Sequence, residues 1–169
     1  PMRDALKTQL IRLRSIQLKG LVVAGDNRSV ALLDLNDHDP IIVRSNSQFS
    51  ARMGGLPLSI AVKNVSAGGV EIEAPTLAET LFIPSSFAPL PASPATDPSF
   101  IRHVEFHDVL LAEALRMLSE PCGTNYSSSV EAGRIPVSLF LRDVPARAAV
   151  EELCKSHGLW YRQDPLSGI

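Results

Sequence analysis

The chain lacks any apolar run near the roughly 20 residues that a membrane-spanning helix needs. It carries no excess of positive charge; the net charge of −2 gives no general pull toward nucleic acid or an anionic membrane. Its opening residues, "PMRDALKTQL", contain no apolar segment of the kind that marks a signal peptide. Cysteine is scarce. Cys122 and Cys154 allow either one disulfide or two buried thiols, and the residues alone do not choose. Catalytic patterns are missing too. No Ser-His-Asp set, paired carboxylates or metal-ligand spacing converge, and no Cys-His-Asn set with a Gly-rich turn is present. The pairs in "MGGLP" and "SAGGV" lack the strand-to-helix context of a phosphate loop and read as hairpin turns. We therefore expect no enzyme activity, no cofactor and no metal.

What is present is enough apolar sequence for one medium domain or two small ones. A proline before the first methionine, and an end without a closing element, lead us to expect a fragment of a longer chain.

Residues 12–83 read as β. In "IRLRSIQLKGLVVAG", Ile11, Leu13, Ile16 and Leu18 alternate with polar neighbours. Further strands are expected at "VALLDLN", "IIVRSNSQFSAR", "LSIAVKNV" and "GVEIEA", separated by Gly-, Asn- and Asp-rich turns. A short helix over 4–12 leads into them. The spacing predicts a small all-β domain, a sandwich or barrel, over residues 1–83. Residues 84–99, "PSSFAPLPASPATDPS", hold five prolines and predict an extended linker.

Residues 100–169 contain a phrase written twice, "FHDVLLAEALRMLSEPCGTNY" and "LRDVPARAAVEELCKSHGLWY", at an offset of 35 residues (143 − 108). Each copy begins with an alternating strand and continues with Asp-Val. Helical stripes follow: Leu111, Ala114, Leu115 and Leu118, then Ala146, Ala149, Val150 and Leu153. Gly123 and Gly158 fall where a helix end is expected. Tyr126 and Tyr161 then predict short closing strands. The whole is an α+β protein: a β-domain, a linker, and a duplicated β-α-β domain with two helices that cover each other.

The doubled phrase resembles the short N-terminal domain (STN) of secretins and TonB-dependent transducers. Val137-Ser-Leu139-Phe-Leu141-Arg-Asp-Val144-Pro145 and Gly158-Leu159-Trp160-Tyr161 carry the likeness. Residues 12–83 are similar, more weakly, to the periplasmic β-domain of the type IV pilus lipoprotein and the type II secretion clamp protein, through Ala31-Leu32-Leu33 and Gly69-Val70-Glu71-Ile72. The usual Gly-Asp after the third strand is replaced near Ser45-Asn46. The resemblance implies a periplasmic, non-enzymatic interaction module of an outer-membrane-associated machine. Its partners would be secretin subunits, other copies of the chain, or an inner-membrane component, and not nucleic acid. The alternative it implies is a signalling domain that contacts an anti-sigma regulator. In an oxidising periplasm, a Cys122–Cys154 bridge is one outcome.

Docking is expected by strand addition at open sheet edges. Ile101, His103 and Glu105 mark one expected edge, and Ile135, Val137 and Leu139 the other. Pro136 fits an edge strand. His103, Glu105 and His107 fall on one side of a strand. We expect a solvated face there rather than a metal site, since no second ligand cluster is visible.

Overall fold

The computed structural model describes residues 2–24, 28–36, 39–53, 55–86 and 100–162. In chain order the elements are α1 (Met2–Arg14), β1 (Gln17–Ala24), β2 (Val30–Asp34), β3 (Ile41–Arg44), β4 (Gln48–Met53), β5 (Leu56–Ser66), β6 (Gly69–Ala74), β7 (Glu79–Pro84), β8 (Phe100–Leu110), α2 (Leu111–Cys122), β9 (Pro136–Pro145) and α3 (Ala146–Ser156). The strands form two antiparallel sheets, ordered β3-β2-β1-β8-β9 and β4-β5-β6-β7. The class is α+β, as the patterning predicts.

The division into units differs from the expected one. β1 pairs with β2 on one side and with β8 on the other, so one sheet crosses the expected boundary at 84–99. The reason is visible in "GLVVA". Leu21 and Val22 are both fully buried although they point to opposite faces. Val22 joins the core beneath α2 and α3, and Leu21 joins the core between the two sheets. The backbone N–H and C=O groups of a strand this deeply buried need partners on both edges, and alternation alone cannot say which strands supply them. Most of the expected linker, residues 87–99, lies outside the described residues.

Three local readings change as well. Residues 11–14, expected in a strand, belong to α1. The helix buries Gln9, Leu13 and, just past its end, Ile16, which is an i, i+4, i+7 stripe. The expected strand over 41–52 breaks in two at Ser45–Ser47. Asn46 adopts a left-handed conformation (φ 60°), and Ser45 Oγ accepts the Val65 amide at 2.9 Å. The chain passes there from one sheet to the other. Finally, β7 had not been expected; it pairs with β6 along Gly69–Ala74.

The 35-residue repeat is written into the backbone. Asp108 and Asp143 take left-handed φ values of 53° and 49°, just before the two helices. Gly123 and Gly158 take φ values of 63° and 64°, just after them. At the second end the Gly158 amide bonds to Lys155 O and the Leu159 amide to Cys154 O, a Schellman cap. All eight stripe residues are buried, and α2 and α3 share one core against β8 and β9. The closing strands expected at Tyr126 and Tyr161 do not form. Both tyrosines sit in irregular chain, and among the described residues neither adds a strand to a sheet.

Candidate functional site

Two places concentrate chemistry. The first lies on β8. Ile101, His103 and Glu105 were expected at an open edge, and the structure corrects this. β8 is an interior strand, hydrogen-bonded to β1 and to β9, and the three residues are 0%, 3% and 1% exposed. The expected solvated face is also overturned. Glu105 lies opposite Leu21 and therefore faces the second sheet.

There its carboxylate gathers three partners. His103 Nε2 meets Oε2 at 3.1 Å, His107 Nε2 meets Oε1 at 2.5 Å, and the Ser86 amide donates to Oε1 at 3.0 Å. Burial pushes the Glu105 pKa up, but hydrogen bonds from His107, His103 and Ser86 outweigh it and hold the carboxyl below its usual range. The cluster ties the end of the four-stranded sheet to the middle of the five-stranded one. The His103 ring packs edge-on to Phe140 at 5.3 Å, and the Arg142 guanidinium lies 4.9 Å over the same ring.

Ser86, His107 and Glu105 have the composition of a hydrolytic triad, but not its wiring. Ser86 Oγ lies 3.0 Å from His107 Nε2, the same nitrogen that meets Glu105. A relay needs the two ring nitrogens to face opposite partners. Among the described residues, no group of three or more His, Cys, Asp and Glu is arranged to hold a metal ion.

The second place is the outer side of β9. Among the described residues, β9 is hydrogen-bonded on one side only, to β8. Val137 is buried, Leu139 is half-buried, and Ile135 is half-buried just before the strand. Pro136 and Pro145 close the strand at its two ends.

Between α2 and α3 opens a cavity of about 220 Å³, whose walls include Tyr126 and Tyr161. Sequence reasoning did not find it, although the signal was there: the two tyrosines are repeat equivalents, 35 residues apart (161 − 126). Cys154 also lines this cavity. It is a free, buried thiol whose pKa burial pushes up, which leaves it a poor nucleophile. The side chain of Cys122, its expected disulfide partner, lies outside the described residues.

No family model, curated protein or solved structure matches the chain.

Proposed function

We propose that this chain is a non-enzymatic docking module of a bacterial secretin-type machine, of the type IV pilus or type II secretion kind, working in the periplasm. Its partners are secretin subunits or an inner-membrane assembly component. The observation that carries the reading is the outer edge of β9. Between Pro136 and Pro145, alternate residues of this strand turn backbone donors and acceptors away from β8. An extended segment of another protein can pair along such an edge, with main-chain hydrogen bonds giving affinity. The same residues, Val137 to Pro145, carry part of the likeness to the secretin domain. The buried Glu105 cluster fits a structural tie between sheets better than a reaction centre, because the Ser86 hydroxyl and the Glu105 carboxylate meet the same nitrogen of His107.

The test joins two measurements on the whole chain. Light scattering follows mass across a concentration series, alone and with the purified periplasmic part of a candidate assembly partner. Hydrogen exchange follows the amides of residues 137–144 in the same samples. We expect mass growth in at least one series, with new protection confined to β9. Unchanged exchange in β9 while complexes form elsewhere, or no complex in any series, overturns the reading.

A further inference from the structure

The cavity between α2 and α3 has a chemistry of its own, independent of the β9 edge. Leu111, Leu115 and Val150 supply apolar wall, and Ser127 and Ser129 supply polar wall. Arg162 is the one ionised side chain that lines it among the described residues. Two further lining residues, Trp160 and Tyr161, are exposed at 98% and 38%, and Val130, next in the chain to Ser129, is 77% exposed. Large apolar side chains left this open beside a concave site lose contact with water when a ligand covers them. On α3, next in the chain to Val150, Glu151 is paired with Arg147 at 3.2 Å. That acid thus already has a cationic partner.

Size narrows the ligand. An apolar cavity of about 150 Å³ accepts a benzene ring. At about 220 Å³, this one has room for a ring and a short polar arm. Charge narrows it further, since a guanidinium pairs with a carboxylate through two parallel hydrogen bonds. We infer that the cavity binds a phenyl-sized ring carrying a carboxylate on a short arm, with the ring against Leu115 and Val150 and the carboxylate on Arg162. A free aryl acid has this chemistry, and so does a protein chain that ends in phenylalanine.

Trp160 is the only tryptophan in the chain, so its emission reports on the site directly. The intact chain is titrated with 3-phenylpropionate, with the neutral 3-phenylpropanamide, and with acetyl-Gly-Gly-Phe. Ligand-observed NMR checks binding where emission is silent. We expect saturable binding of the acid with a Kd of about 1 mM, as suits so small a ligand. The amide should bind about tenfold more weakly, the difference that a hydrogen-bonded charge makes. R162Q, with its fold checked by circular dichroism, should lower the acid to the level of the amide and leave the amide unchanged. A peptide that binds more tightly than the free acid identifies a chain terminus as the source; a weaker one identifies the small acid. Equal affinity for acid and amide, no saturable binding, or an R162Q variant that keeps the preference for the acid overturns the inference.

Discussion

Replacing Glu105 tests how much of the contact between the sheets rests on one carboxylate. Glu105→Leu keeps a similar volume and removes every acceptor. Ser86 is exposed, and the His107 side chain is 43% exposed, so both can turn to water. His103 cannot, because its side chain is 4% exposed. In either tautomer its Nε2 is left without its carboxylate, at about 1–3 kcal/mol for a stranded buried polar group. With a smaller contribution from the other two, the loss comes to about 2–3 kcal/mol, or about 4–12 °C in Tm for a chain of this size.

Glu105→Gln should lose less. One oxygen remains for Ser86 and His107, and the new amide can donate to His103. The pH dependence separates charge from shape. The Glu105 pKa is lowered in the folded chain, so the folded state binds fewer protons than the unfolded one as pH falls below the usual value of 4.5. Its stabilisation is therefore complete above that value and is lost as pH falls through the lowered folded value. The stability gap between wild type and Glu105→Gln should shrink over that range. Thermal unfolding followed by circular dichroism, repeated from about pH 7 to about pH 3, reads both effects. A Glu105→Leu variant as stable as wild type at neutral pH, or a gap to Glu105→Gln that stays constant into acid, refutes the reasoning.

Other outcomes follow from single features. Gly69→Ala should prevent β6–β7 pairing, since a Cβ there would lie 2.2 Å from the Ile83 carbonyl oxygen at φ 140°; we expect poor expression or loss of cooperative unfolding. Ala78→Gly should stabilise, because Ala78 holds a left-handed φ of 51° that costs a side-chain-bearing residue about 1 kcal/mol; a lower Tm would contradict this. Leu118→Ala and Leu153→Ala, equivalent in the repeat and both 0% exposed, should each cost about 2–5 kcal/mol by chemical denaturation. In a Cys122→Ser background, Cys154 should react with a thiol reagent more slowly than an exposed cysteine, because burial raises its pKa; labelling of the folded protein as fast as that of an exposed cysteine would contradict this.

The doubled phrase was legible because its signals are local. Helical stripes, the repeated Asp-Val and Gly at a helix end depend on near neighbours, and the 35-residue offset holds at each of them. The α+β class and all eight buried stripe positions follow from that alone. Tertiary structure decided the rest. No local pattern says that β1 pairs with β8, since a strand's residues are the same whichever partner bonds to its edge. That one choice turned an expected boundary into a continuous sheet and removed the edge expected at Ile101, His103 and Glu105. It also placed Glu105 between two sheets, where its charge is held by residues from β7's end and from its own strand. The cavity arose in the same way. Tyr126 and Tyr161 were set by the repeat, but only the docking of α2 beside α3 brought them to one wall.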